Sequence, residues 1–226
     1  MEPGYRAVEL VVVPVLGAWF RWSIEGQDAI PSRGPAILAC NHVSYLDPLA
    51  LAYAIRRAGR RPRFLTKSEL FSVPVVGWGL RITGQIEVRR GKKEAPAALD
   101  RALEVLERGE IVVIFPEGTV TTHPELEPMA PKSGAVRLAL RASVPVIPCA
   151  TWGTANVWPK GPYSKRWWPG QDVLVRFGEP IELRGDAGSP EAWRAAGDRI
   201  MGEIGRLVAG LKPVVADSRR PLGVGR

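Results

Sequence analysis

The sequence predicts a single α/β domain, a mixed and mostly parallel sheet flanked by helices, with an apolar, amphipathic helical segment at its N-terminus. Two observations carry this. Short runs rich in β-branched residues, such as "EIVVIF" (110–115), alternate along the chain with amphipathic helical stretches, the pattern of strands joined by helical crossovers. The chain has 226 residues, 46% of them hydrophobic, enough for one substantial core and the right length for one domain. No internal repeat or low-complexity tract interrupts it.

The elements follow in order. "VELVVVPVLGAWFRW" (8–22) is the most apolar stretch, but its unbroken run from Leu10 to Phe20 is shorter than the ~20 residues a bilayer crossing takes. Glu2 before it and "FRWSIEG" after it do not make a signal peptide. Pro14 is expected to break a single long helix there. Trp19, Phe20 and Trp22 flank Arg21, so the segment suits either a membrane interface or packing on the core. Two short strands, the second being "AILAC" (36–40), are joined by a Pro/Gly turn. "PLALAYAIRRAG" is a helix with Pro48 at its first position and Gly59 just past its end. "RPRFLTK" is a strand, and "ELFSVPVVGWGLRITG" a short helix and an apolar stretch before the strand "QIEVRR". Residues 94–108 form a helix whose Leu99, Ala102, Leu103 and Leu106 share a face. After the strand 110–115 come the helix "KSGAVRLALRASV", the strand "PVIPCATWG" and the strand "DVLVRFGEPIEL". Ser189 and Pro190 then open a long amphipathic helix. The expected division is an interfacial segment 1–22, the α/β domain 23–211, and a flexible tail 212–226, because no periodicity continues past Lys212.

Composition limits the function. Lys and Arg outnumber Asp and Glu by 31 to 23, a net charge of +8 that points to an anionic partner. Cys40 and Cys149 sit in apolar runs and read as buried free thiols. No Cys/His spacing suits zinc, so no metal is expected. The run "IRRAGRRPRFLTK" (55–67) holds six basic residues and no acid. With one aromatic and no recognisable module it does not read as a nucleic-acid site. It suits a surface facing anionic lipid, or the phosphates of an acyl carrier. Trp152, Trp158, Trp167 and Trp168 lie in a Pro- and Gly-rich stretch, suited either to headgroup depth or to a lid over an acyl channel.

The chemistry is in "NHVSYLD" (41–47). His42 leaves a strand and Asp47 enters a helix, so a tight connection can bring their side chains together. A carboxylate that orients an imidazole fixes one tautomer and leaves the other nitrogen as a base near neutral pH. Asp47, placed before a proline, is also expected to cap its helix. Ser44 has no nucleophile-elbow surroundings. Both His42 and "PEGT" (116–119) fall at the carboxyl ends of strands, where open sheets bind ligands. His123 reads as exposed-loop material.

Four stretches in order, "NHVSYLD" (41–47), "TGQIEVRR" (83–90), "FPEGT" (115–119) and "VPVIPCA" (144–150), resemble the four blocks of the glycerophospholipid acyltransferases, the 1-acylglycerol-3-phosphate acyltransferase family. The resemblance runs from about Ile24 to Phe177. It implies transfer of a fatty acyl group from acyl-CoA or acyl carrier protein to a lysophospholipid hydroxyl, most simply that of 1-acylglycerol-3-phosphate. His42 would be the general base and Asp47 its partner. Arg90 would bind the acceptor phosphate, Glu117 the glycerol part, and Gly118 would allow close backbone approach; Lys132 would add a phosphate contact. Beyond the acyl thioester co-substrate it implies no cofactor, and it implies no nucleic-acid partner. The expected location is the cytoplasmic face of a membrane, peripheral or monotopic. The family often follows "FPEGT" with arginine and serine, where this chain has Val120 and Thr121. The missing cation leaves the headgroup open, unless Arg137 or Lys132 supplies the charge. A non-catalytic lipid-binding protein and an acyl-CoA thioesterase are the alternatives.

Overall fold

The computed structural model describes residues 3–89, 95–160 and 167–218. Its strands are β1 (Phe20–Glu25), β2 (Ala36–Cys40), β3 (Pro62–Lys67), β4 (Ile86–Val88), β5 (Ile111–Ile114), β6 (Val146–Trp152) and β7 (Gln171–Phe177), arranged β1-β7-β6-β2-β5-β3-β4. Every pairing is parallel except β6 with β7. β2 sits between β5 and β6 with all five residues buried, as expected of a strand covered on both faces. The chain runs from β2 outward to β3 and β4, then returns through β5 to reach β6 on the other side of β2. The carboxyl end of β2 is therefore the switch point, where a crevice opens.

Helices cover both faces: α1 (Pro3–Trp19), α2 (Asp47–Arg57), α3 (Ser68–Phe71), α4 (Pro74–Ile82), α5 (Ala95–Glu107), α6 (Ser133–Ala142) and α7 (Pro190–Ser218). The period-2 alternation of strand side chains divides the core. Leu38, Cys40, Val113 and Ile147 pack with Leu16 of α1 and with Leu51 and Ile55 of α2. Ile37, Ala39, Val112 and Ala150 pack with Leu99 of α5, Leu138 of α6 and Ile200 and Ile204 of α7. Cys40 and Cys149 are free and buried on adjacent strands, and burial pushes both thiols well above their usual range.

Three boundaries differ from the sequence reading. α1 continues through Pro14. A proline leaves the carbonyl four residues earlier without its amide; that residue, Leu10, is 77% exposed, so no buried partner is lost. Phe20 and Trp22, read as helix, belong to β1, because pairing with β7 captures them at the sheet edge. The helical segment thus ends at Trp19, and residues 20–22 join the domain. α7 continues past Lys212 to Ser218, so the first part of the expected tail is helical. The rest of that tail, 219–226, lies outside the described residues.

α1 is held on the domain by its polar side chains. Glu9 pairs with Arg56 and Arg61, and the Tyr5 ring lies under the guanidinium groups of Arg61 and Arg63. Burial is the main reason that the Tyr5 phenol is pushed up to about 12. The opposite face, with Leu10, Val11 and Val15, is exposed.

Candidate active site

The backbone turns sharply after β2, and Asp47 is the centre of that turn. Its Oδ2 accepts from the amides of Val43 and Ser44 at 2.7 and 2.8 Å and lies 2.9 Å from His42 Nδ1. Its Oδ1 accepts from the hydroxyls of Thr151 and Thr154 at 3.0 and 2.6 Å. This corrects the expectation of a capping aspartate. Asp47 is already inside α2, Leu46 occupies the cap position, and both carboxylate oxygens point back toward the histidine turn and β6. The carboxylate is fully buried, and five donors offset the loss of water around its charge.

Those donors keep Asp47 an acceptor, so His42 Nδ1 carries the proton it shares with Oδ2. Nε2 is then the basic nitrogen. It has no hydrogen-bond partner among the described residues. The ring stacks on Phe115 at 4.1 Å between centroids and is 14% exposed, enough for access from the crevice.

The backbone of His42 is fixed by the turn that follows β5. Its amide donates to Glu117 Oε1 at 2.8 Å, and its carbonyl accepts from the Thr121 amide at 2.6 Å. The other oxygen of Glu117 accepts from the Met129 amide at 3.0 Å. Glu117 is 1% exposed, and burial raises its carboxyl above the usual range despite both amides. Each oxygen accepts from one backbone amide, and the buried side chain ties the His42 turn to the loop at Met129. Gly118 has φ +68°, a conformation that disfavours any side chain, and an added Cβ would lie 3.1 Å from Cγ of Lys132. The exposed Lys132 thus lays its stem across the turn, and its amide donates to the Pro116 carbonyl.

The sequence reading did not find Thr151, Thr154 or Asn41. Asn41 is fully buried and bridges β2 to β6, accepting from the Thr151 amide at 2.8 Å and donating to its carbonyl at 3.1 Å. Thr154 reaches Asp47 through the turn at Gly153, where φ is +86° and a Cβ would fall 2.1 Å from the Asp172 carbonyl. "TWG" read as the end of a strand, with Thr154 just beyond it; the left-handed glycine was the available signal. Ser44 is buried with its hydroxyl 2.7 Å from the Trp158 carbonyl, in keeping with a structural serine.

Other expectations fall elsewhere. Arg90 lies outside the described residues. Arg137 lies over the Trp193 ring of α7. The basic run 55–67 is not an open stripe. Arg60 donates to the carbonyls of Pro31, Gly34 and Gly109, Arg56 and Arg61 pair with Glu9, and the buried Arg63 pairs with Glu110. Sequence counting shows these charges but not the acids that fold back onto them. His123 is exposed, 3.8 Å from Glu127. Among the described residues no cluster of His, Cys, Asp and Glu could hold a metal ion.

Fold and site define a class: an α/β domain that carries a histidine, oriented by a buried aspartate, at the carboxyl rim of parallel strands. The acyltransferase family model matches residues 21–152, more than half of the chain, and the protein belongs to that family. A chloroplastic 1-acyl-sn-glycerol-3-phosphate acyltransferase of Brassica napus is 31% identical over 145 residues, 63% of this chain and 40% of that protein. A 1-acyl-sn-glycerol-3-phosphate acyltransferase of Borreliella burgdorferi is 30% identical over 138 residues, 61% of this chain and 53% of that protein. The chain thus spans about half the length of these relatives or less. The crystal structure of the 1-acyl-sn-glycerophosphate acyltransferase of Thermotoga maritima superposes with a TM-score of 0.72 at 27% identity, covering 92% of this chain and 79% of that one.

Proposed function

We propose that the protein transfers a fatty acyl group from an acyl thioester to the hydroxyl of a lysophospholipid, with 1-acylglycerol-3-phosphate as the first acceptor to test. The observation that carries this is the His42–Asp47 pair: a buried, fully hydrogen-bonded carboxylate at 2.9 Å from Nδ1, with Nε2 unpartnered among the described residues. Nε2 takes the proton of the acceptor hydroxyl as that oxygen bonds to the thioester carbonyl carbon. The imidazolium formed faces the Asp47 carboxylate. Collapse of the tetrahedral intermediate breaks the carbon–sulfur bond, and the proton passes from Nε2 to the leaving thiolate. General-base assistance of this kind contributes about 10²–10⁴ in rate. The similarity to 1-acyl-sn-glycerol-3-phosphate acyltransferases supports a lysophosphatidate acceptor.

The surface near the site supports work at a membrane. Leu10, Val11 and Val15 of α1, Val75, Val76 and Trp78 of α4, and Trp168 are all exposed. Trp19 donates its indole N–H to the Trp167 carbonyl, Trp167 packs on Trp158, and Trp158 on Tyr45, three residues from His42. An aromatic ridge therefore joins the end of α1 to the catalytic turn. No helix among the described residues is long and apolar enough to cross a membrane, so the reading is a protein lying on the lipid surface.

The test is thiol release from palmitoyl-CoA, and from palmitoyl acyl carrier protein, with lysophosphatidate, glycerol 3-phosphate, lysophosphatidylinositol or no acceptor, for wild type and His42→Ala. Acceptor-dependent release that needs His42 is the expected result. Release without acceptor would make it a thioesterase. Lipid binding without release from either donor would make it a binding protein.

A further inference from the structure

Lys160 lies outside the family-matched span and outside every block noted in the sequence. Its segment is nonetheless bound to the catalytic turn. Thr154 donates to Asp47, the Tyr45 amide donates to the Trp158 carbonyl at 3.2 Å, and Trp158 packs on the Tyr45 ring. From there Lys160 reaches across to the turn after β5. Its Nζ donates to the Val120 carbonyl at 3.0 Å and lies 3.4 Å from Thr119 Oγ1. The next amide, that of Thr121, is the one that holds the His42 carbonyl. Lys160 therefore closes a ring of backbone around the base.

Its electrostatics differ from those of Arg56, Arg61 and Arg63. Arg56, Arg61 and Arg63 each face a carboxylate, whereas both Lys160 contacts are neutral oxygens and no carboxylate pairs with it among the described residues. The nearest buried acids are spent, Asp47 on five donors and Glu117 on two amides. An ammonium has three donors, so one N–H and the whole positive charge remain for a ligand. The turn it touches, Gly118 to Thr121, carries no charge of its own. Half-buried and bonded to the turn whose Thr121 amide holds the His42 carbonyl, Lys160 offers a fixed cation beside the proposed base.

We propose that Lys160 binds a substrate phosphate, doing from the 154–160 segment what no residue of the 118–121 turn can do. This deepens the acyl-transfer reading and rests on it. The phosphate belongs either to the acceptor or to the acyl carrier, and kinetics separate the two. Lys160→Gln keeps a donor to the Val120 carbonyl and removes the charge, while Lys160→Arg keeps the charge. With lysophosphatidate and palmitoyl-CoA, Lys160→Gln is expected to raise one KM by about 10- to 100-fold, the loss of a charge-assisted hydrogen bond, with kcat changed less than threefold and Lys160→Arg near wild type. A rise confined to lysophosphatidate, absent with uncharged monoacylglycerol, assigns the acceptor phosphate; a rise confined to palmitoyl-CoA assigns the carrier. Unchanged KM values in Lys160→Gln, or a fall in kcat alone with every acceptor, would overturn the proposal and leave Lys160 a brace of the turn. Titration of glycerol 3-phosphate and of inorganic phosphate into wild type and Lys160→Gln gives a readout that does not need turnover. If the wild type transfers no acyl group, the reaction reading fails by itself. Phosphate binding that is lost in Lys160→Gln then still supports the site, and equal binding by the two proteins overturns it.

Discussion

The amide of His42 donates to Oε1 of Glu117 at 2.8 Å, across 75 residues of sequence, so the histidine proposed as the base is held by a buried carboxylate. Two stretches that look like separate motifs are thus one structure. The second fixes the backbone of the first at both its amide and its carbonyl.

Glu117→Gln is therefore expected to act on turnover and not on acceptor affinity. A glutamine keeps one acceptor oxygen, so either the His42 or the Met129 amide loses its partner in a buried site, which costs about 1–3 kcal/mol. Steady-state kinetics should show kcat reduced about tenfold or more with KM for the acceptor within threefold. A large KM change at unchanged kcat would return Glu117 to substrate contact.

Thr151→Val and Thr154→Val each remove a hydroxyl donor from Asp47 Oδ1 and nothing from His42 directly. Each buried donor lost should lower stability by about 1–3 kcal/mol in urea unfolding. Valine replaces the hydroxyl with a methyl group beside a buried charge, so the double variant should lose more than either single one, along with a fall in kcat. Wild-type kcat in the double variant would show that the carboxylate needs only its two backbone amides and the imidazole.

Two carboxylates give opposite pH signatures. At Glu110 burial raises the carboxyl, but hydrogen bonds from Arg108 and Arg63 outweigh it and the net shift is downward. Its stabilising contribution is present above the ordinary carboxylate pKa and is lost as pH falls through the lowered one. At Glu117 burial dominates and the shift is upward. Its contribution is full below the ordinary pKa and is lost as pH rises through the raised one. Between acid and neutral pH the stability gap between wild type and Glu110→Gln should therefore widen, while that between wild type and Glu117→Gln should narrow. Denaturant unfolding of the three proteins across that range checks both signs in one series.

Most of the fold was legible because its elements announce themselves locally. "AILAC" and "IVVI" are buried strands by composition, and Pro48 and Gly59 bracket α2. His42 and Asp47 were legible as well, through spacing and their place at a strand end. Their supports were not. Thr151 and Thr154 reach Asp47 only because β6 lies beside β2, a pairing between residues more than a hundred positions apart. The partners of Glu117 and of the basic run were hidden for the same reason, since whether a charge faces solvent, an amide or an opposite charge is decided by tertiary contact. Glu9 and Glu110 fold onto Arg61 and Arg63 from other elements, and counting within a window leaves them out. The apolar side chains of α4 show the reverse case. The sequence shows an apolar stretch there without saying what covers it, and the fold leaves Val75 80% and Trp78 58% exposed.

That exposure leads to the last prediction. α4 touches α1 through Gly4, where an added Cβ would lie 2.9 Å from Cβ of Ile82, and both helices carry exposed apolar side chains. Each such side chain taken out of water contributes about 1.5–3 kcal/mol. Val75→Glu with Trp78→Glu removes that gain and adds two charges unsuited to the lipid interface. In vesicle co-sedimentation with phosphatidylglycerol-containing liposomes the pair should cut the bound fraction at least tenfold, and Leu10→Glu with Val11→Glu should do the same from α1. These residues make no contact with His42 or Asp47, so activity on a short-chain acceptor dissolved as monomer should stay within threefold of wild type. Loss of activity on vesicle-borne acceptor alone would assign the surface to membrane docking. Equal loss on both substrates would instead mean that α4 supports the fold, and unchanged vesicle binding would move the lipid contact to the Trp167–Trp168 ridge.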